Sequence, residues 1–458
     1  MTASAPAPSA IPEPDPAQRR KEQRGWYVYD WANSVFFTSV ITVFIGPYLN
    51  ALAQTAAEQA GTGEHVHLLG LTLRYDAVYP AATAVAVVLQ LITLPLVGAV
   101  TDHSRNKKGL LAGFATVGAL ATTALYFTTG AAYLPAAALL ILANVAYGAS
   151  SVVYNAFLNE IATGEERDRV SSVGWGVGYL GGAVLLALHL VLFLNAGNWG
   201  LTEGYATQIG FASAGVWWLG FSFLAIKPLR NRIGPLAAHG GGPQVRTTLR
   251  TLATTLRELR KYPRTLLYLI AFLLFNDGVQ SVIRYAGPFA TGDLGLGQQD
   301  LISAILMVQF VAFGGALALG WLARIFGAKR TILASLAVWC VLVGVGLVIP
   351  AGDPVAFFAM AFFIAIVLGG SQALSRSLFS QLIPKGKEGE YFGLYALCDR
   401  GAVFIASFVV TLAVQFSGGY RMAIFSLIAF FVIGGVLLAL TDVTRGIREA
   451  GNEVPAKV

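Results

Sequence analysis

Charge is what this sequence lacks. Among 458 residues there are only 31 Lys and Arg and 24 Asp and Glu, so 12% of side chains are charged against 56% hydrophobic. A soluble domain carries about 25% charged residues, and a disordered chain is poor in apolar ones. Both classes are excluded, and a mean hydropathy of +0.65 points to the bilayer as solvent. Cysteine is scarce as well: Cys340 and Cys398 lie in apolar runs with neither CxxC nor Cys/His spacing, which excludes a disulfide framework and a zinc site. There is no GxxxxGK[ST] loop for ATP phosphates, no HExxH and no GxSxG elbow. Primary pumping and hydrolysis lose their usual marks, and no enzyme activity, cofactor or metal is expected. Residues 1–25 are Ala/Pro-rich and then basic (RRKEQR), with no short apolar core before a cleavage site. They read as a disordered tail.

What the chain has is apolar length. A spanning helix needs about 20 apolar residues, so a dozen spans would use about 240, close to the supply. Charges bound runs at 26–49, 77–100, 109–129, 134–158, 171–195 and 206–227, then at 265–290, 300–323, 331–350, 355–380, 391–415 and 421–441. The expected fold is an all-α membrane protein with twelve transmembrane helices in two six-helix bundles, 26–227 and 263–441, joined by a 228–262 linker and followed by a 442–458 tail. Twelve crossings put both termini on one side. Segments on that side hold 26 of the 31 Lys and Arg, with only Arg74 and Arg421 opposite and Arg284, Arg376 and Arg400 inside spans. The positive-inside rule makes that side cytoplasmic and the membrane the inner one. Cations spread over separate loops also explain the pI of 9.3 without nucleic acid. In the linker, Leu249, Leu252, Leu256 and Leu259 share one helical face while Arg246, Arg250, Arg257 and Lys261 share another, an arrangement suited to anionic lipid.

The halves repeat. Gly98 to Lys108 (GAVTDHSRNKK), between spans 2 and 3, matches Gly320 to Arg330 (GWLARIFGAKR), between spans 8 and 9, at an offset of 222 residues; the same offset carries Gly148, Ile161, Gly164 and Glu166 onto Gly370, Ile383, Gly386 and Glu388. Asp30-x-x-Asn33-Ser34 in span 1 pairs with Asp277-x-x-Gln280-Ser281 in span 7 at an offset of 247. A six-plus-six parallel repeat is a layout in which two bundles rock about a site between them.

The loop GAVTDHSRNKK resembles the signature loop of the major facilitator superfamily. That resemblance implies an inner gate with Asp102 as its acid, Gly98 as the close-packing residue, and Arg105, Lys107 and Lys108 as its bases. In the second loop Gly320, Lys329 and Arg330 match, while Arg324 stands at the acid position. YDWANSVFF (29–37), YNAFLNEIATGEERDRVSSVGWGVGYLGG (154–182), FNDGVQSVI (275–283) and GGSQALSRSLFSQLIPKGKEGEYFGLY (369–395) resemble the autophagy-linked vacuole effluxer family and its bacterial relatives. The resemblance implies secondary active transport, with amino-acid efflux in the vacuolar members.

Six ionisable residues fall inside spans, Asp30, Asp277 and Asp399 against Arg284, Arg376 and Arg400, a formal sum of zero that is compatible with complete pairing. Each costs about 2.5–3.5 kcal/mol even on the lenient insertion scale, so pairing or a wet cavity is required. Asp277, Gln280, Ser281 and Arg284 form one stripe on span 7, and at about 1.5 Å per residue Asp277 sits roughly 16 Å below Pro288, near the midplane. Span 10 adds Gln372 and Arg376 on one face; span 11 adds Tyr395, Asp399 and Arg400. Asp30 lies roughly 25 Å before Pro47 by the same rise, which leaves it open between a coupling residue and an inner-gate ion pair. These residues, with Asn33 and Ser34, form the expected substrate and ion site: one Asp exchanges protons while arginines hold an anionic group. Gly174, Gly178 and Gly182 on span 5 read as close packing, His189 as a hydrogen-bonded neutral core residue, and Glu64, His65 and His67 as a poor zinc pattern. The expected protein is a monomeric secondary transporter exporting a small polar solute, an amino acid, with proton coupling. An exporter of amphipathic drugs is the alternative within transport; a non-transporting receptor or assembly factor is the alternative outside it.

Overall fold

The computed structural model describes residues 15–68, 70–232, 257–401, 403–417 and 420–458. Twelve helices are long and apolar enough to cross a membrane: α1 (Pro16–Ala60), α2 (Tyr75–His103), α3 (Lys107–Phe127), α4 (Tyr133–Ile161), α5 (Arg167–Leu194), α6 (Glu203–Ile226), α7 (Pro263–Asp293), α8 (Gln299–Phe326), α9 (Ala328–Val345), α10 (Pro354–Gln381), α11 (Glu388–Gln415) and α12 (Tyr420–Leu440). A short helix, α13 (Val443–Glu449), follows. The segment before α2, expected as plain loop, holds a hairpin of β1 (His65–Leu68) and β2 (Leu71–Arg74).

Local chemistry sets the ends. Asn106 accepts from the Gly109 amide at the start of α3, Thr202 from Tyr205 at α6, and Asp353 from Ala356 at α10, each satisfying an orphan helix donor. Apolar side chains on the outside of the helices stay bare, Phe223 of α6 at 76% and Ile92 of α2 at 55% exposure, as a bilayer solvent permits. Two large apolar cores form, one around Phe36, Tyr48, Phe211 and Trp218, the other around Phe272, Trp339, Phe379 and Phe431. They are the cores of two six-helix bundles. α1 and α7 both depart from α geometry, through π-helical Phe36–Phe44 and Phe289–Asp293; the 247-residue offset lays the end of the first segment on the start of the second.

One expectation changes, and one falls outside the described residues. Residues 16–25, read as disordered tail, are the first turns of α1: Glu22 pairs with Arg232 at 2.6 Å, Gln23 donates to the Ile161 carbonyl at 2.9 Å, and Arg19 lies 3.5 Å from Glu166. The charges that suggested solvation find partners on neighbouring loops. The amphipathic stretch carrying Arg246, Leu249, Arg250, Leu252 and Leu256 lies outside the described residues; Leu259 and Lys261 form a short 3-10 turn in which Leu259 is buried.

The glycines of α5 act as expected. Trp26, Asp30, Ser34 and Thr38, one per turn of α1, lie against Gly174, Gly178 and Gly182, and a Cβ on Gly178 would stand 2.6 Å from the Ser34 hydroxyl. Small residues let a polar helix face approach closely. His189 is held between the hydroxyls of Ser39 (2.6 Å) and Ser213 (2.8 Å).

Candidate functional site

The bundles meet most tightly at the end bearing the 2–3 and 8–9 loops. A Cβ on Gly98 would overlap the Gly389 carbonyl oxygen, so only glycine lets α2 and α11 cross backbone to backbone. One turn on, Asp102, 2% exposed, accepts hydrogen bonds from the amides of Gly389 (2.7 Å) and Glu390 (2.8 Å). These are first-turn donors of α11, so a carboxylate of one bundle caps a helix of the other. At the pseudo-symmetric crossing, Gly320 of α8 packs on Ser172 of α5, and Ser377 donates to Asp168 at 2.6 Å. Arg167 and Asn159 both donate to the Ser380 carbonyl.

The basic residues expected at the gate do different work. Lys107 pairs with Glu160 at 2.7 Å within its own bundle. Lys108 donates to the Lys227 and Leu229 carbonyls at the end of α6, and Lys329 donates to Ala439 and Thr441 at the end of α12. Each loop thus holds the carbonyl end of the sixth helix of its bundle, where the helix dipole favours a cation. Arg330 and Asp442 line a common cleft, whereas Arg324 is exposed and lines a shallow groove with Arg169, Ser172 and Trp321. Arg105 occupies the exposed turn beyond Asp102.

The six intramembrane charges are not completely paired. Arg376, 4% exposed, lies 3.5 Å from Asp30, which joins α10 to α1 across the bundle interface. Arg376 also donates to the Ser171 hydroxyl (2.9 Å) and carbonyl (3.0 Å) and to Asn155 (3.4 Å), while Tyr154 donates to Asp30 at 2.6 Å. Of the two roles left open for Asp30, this geometry matches the ion pair between bundles. Arg400 pairs with its neighbour Asp399 at 3.8 Å, and its guanidinium lies 5.8 Å from the ring of Tyr147 on α4. Gln372 donates to Asn276 at 2.7 Å, and Asn276 donates to Asp399 at 2.8 Å.

The stripe on α7 stays in one line but faces α11. Asp277 is fully buried; one oxygen accepts from the Ala406 amide at 2.8 Å and the other has no hydrogen-bond partner among the described residues. Ser281 is buried, Gln280 half-buried, and Arg284 exposed, 3.5 Å from the Ser407 hydroxyl. Asp277 and Arg284 therefore form no ion pair with each other, because packing turns both toward the second half of α11. Tyr395 is a core residue, stacked on Phe272 at 4.1 Å and on Phe379 at 5.0 Å. Asn33 is buried beside Ser34 on the packed face of α1.

Sequence reasoning missed the shell around Arg376 (Trp26, Tyr154, Asn155, Ser171, Trp175) and the hub Asn276. Tyr154, Asn155, Ser171, Trp175 and Asn276 all stand inside the motifs quoted above, the only signal that could have found them. Among the described residues no cluster of His, Cys, Asp and Glu suits a metal, and Glu64 is instead paired with Arg74 at 3.2 Å.

Two helical bundles closed over buried charges define a transporter fold of the major facilitator type. The chain superposes on the proton:xylose symporter XylE with a TM-score of 0.66 at 16% identity, covering 92% of this chain and 94% of that one. A sequence profile described as "Vacuole effluxer Atg22 like" matches residues 18–167 and 159–451, so the protein belongs to the Atg22-like family of major facilitator transporters. The MFS-type transporter YxiO of Bacillus subtilis is 26% identical over 95% of this chain and 98% of its own length. Autophagy-related protein 22 of Coccidioides immitis is 26% identical over 94% of this chain and 88% of its own.

Proposed function

We propose that the protein exports an amino acid across the cytoplasmic membrane by alternating access coupled to protons, with both termini in the cytoplasm. The observation that carries the substrate class is the Asp399–Arg400 pair. The two side chains are 30% and 21% exposed, oppositely charged and adjacent, and the Arg400 guanidinium lies 5.8 Å from the Tyr147 ring of the other bundle. A zwitterion presents the complementary charges at similar spacing, and Arg can fork onto its carboxylate. Proton coupling is assigned to Asp277, whose second oxygen is buried with no hydrogen-bond partner among the described residues. Orientation follows the excess of Lys and Arg on the termini side.

The reading is tested in proteoliposomes loaded with a labelled amino-acid pool and given a pH step. At least one amino acid leaves faster than from protein-free vesicles, and a protonophore removes the excess. A pool that leaks identically with and without protein overturns the reading.

A further inference from the structure

Among the described residues, the ion pair, hydrogen bonds and ring contacts of the Arg376 guanidinium come from the other bundle. Its carbon lies 4.6 Å from the Trp26 ring centre, 5.4 Å from Trp175 and 5.7 Å from Tyr154. Asp30 stands 3.5 Å away, and Ser171 and Asn155 take its N–H groups. Three rings and one carboxylate around a cation are the parts of a recognition box for organic cations. The box is held together within its own bundle: Trp26 donates to the Tyr154 carbonyl at 3.0 Å, its ring stacks on Tyr154 at 4.4 Å, and Tyr154 donates to Asp30 at 2.6 Å. Trp175 adds a buried indole N–H with no hydrogen-bond partner among the described residues. Alternating access pulls α10 away from α1, α4 and α5. The box then keeps the hydrogen bonds within its own bundle, while Asp30 loses its neutralising cation, a loss that is strongly unfavourable for a carboxylate in a largely apolar surround.

We propose that Trp26, Asp30, Tyr154 and Trp175 form a binding site for an organic ammonium or guanidinium group, which Arg376 fills as an intramolecular ligand while the termini end is sealed. A cationic group of the solute takes Arg376's place when the bundles part. This rests on the alternating-access reading, and it adds a cation subsite separate from Asp399 and Arg400.

The test uses purified full-length protein in nanodiscs with ethylguanidinium chloride as probe and NaCl-matched controls. In Arg376→Ala, ethylguanidinium gives a saturable change in tryptophan emission, and adding Asp30→Asn or Trp175→Leu weakens it about ten-fold, as loss of a desolvated cation contact requires. No saturable change in Arg376→Ala, or one unaltered by Asp30→Asn, overturns the proposal. Because Arg376→Ala could fail to fold, a second arm keeps Arg376 and places a cysteine at Ser380, beneath the seal, in a Cys340→Ala, Cys398→Ala background. Ethylguanidinium speeds maleimide labelling of that cysteine several-fold; an unchanged rate overturns the proposal. Saturable binding alongside absent amino-acid export removes the export reading alone, and export without binding removes the box alone.

Discussion

Asp102 reaches across the bundle interface to the amide of Gly389, 2.7 Å from its carboxylate, and so supplies from the first bundle an acceptor that the first turn of α11 lacks in its own sequence. On the alternating-access reading, the contact is lost when the termini end opens. It stabilises that state by the amount of a helix cap, about 0.5–2 kcal/mol.

Asp102→Ala is therefore expected to shift the balance toward the form open at the termini end by roughly five-fold, as loss of about 1 kcal/mol implies. Maleimide labelling of a cysteine at Ser380 measures this, and a rate equal to that of the parent would remove the capping role.

Gly98 tests the same crossing by shape. A side chain there meets the Gly389 carbonyl, so Gly98→Val blocks closure whatever Asp102 does. Labelling at Ser380 becomes fast and transport stops; normal transport in Gly98→Val would show that α2 and α11 need not approach so closely.

Lys329→Ala and Lys108→Ala each leave two carbonyls at a helix end without their cation. Each is expected to lower stability by about 1 kcal/mol, as loss of a partly exposed charged hydrogen bond at a helix C-terminus implies. Thermal unfolding in nanodiscs reads this as a lowered Tm, and an unchanged Tm in both variants would argue against the bracing role.

Asp277→Asn keeps an acceptor for the Ala406 amide but cannot lose a proton. The hypothesis that Asp277 carries the coupling proton predicts solute exchange that persists but no longer responds to pH. Proteoliposome exchange measured across pH 5.5–8 decides, with retained pH dependence removing Asp277 as carrier.

Outside the spans, the hydrogen bond from Lys387 holds the Glu258 carboxyl below its ordinary pKa. A lowered folded-state pKa means that the stabilisation is present above the ordinary Glu value and is lost as pH falls through the lowered one. The Glu258–Lys387 clip should thus survive mild acid. Both side chains are more than a quarter exposed, so its worth is at most about 1 kcal/mol. Hydrogen-exchange protection of residues 259–262, corrected for the intrinsic pH dependence of amide exchange, should stay constant from pH 7 to 5 and fall in Lys387→Ala; protection that falls between pH 7 and 5 in the parent would contradict the assignment.

Much of the architecture was legible in advance. Twelve runs of apolar residues became twelve helices, and Gly98 and Asp102 emerged at a bundle crossing, where their partners Gly389 and Glu390 lie nearly 300 residues away and were not legible from the loop itself. The amphiphilic start of α1 misled, since RRKEQR looks solvated until Glu166 and Arg232 come into reach. The α7 stripe was correctly read as one face, but Asp277 looks toward Ala406, a direction set by how α7 rotates against α11.

Hydropathy and repeat are properties of a line of residues, which is why the sequence by itself determined the number of spans, their near boundaries and the two-bundle plan. Which charges meet is a property of three dimensions. Formal balance allowed Arg376 to pair with Asp277 or Asp399 of its own bundle. Only the packing of α10 against α1, α4 and α5 chose Asp30 and enclosed the pair in Trp26, Tyr154 and Trp175, because a buried guanidinium must take whatever acceptors and rings the opposing surface provides.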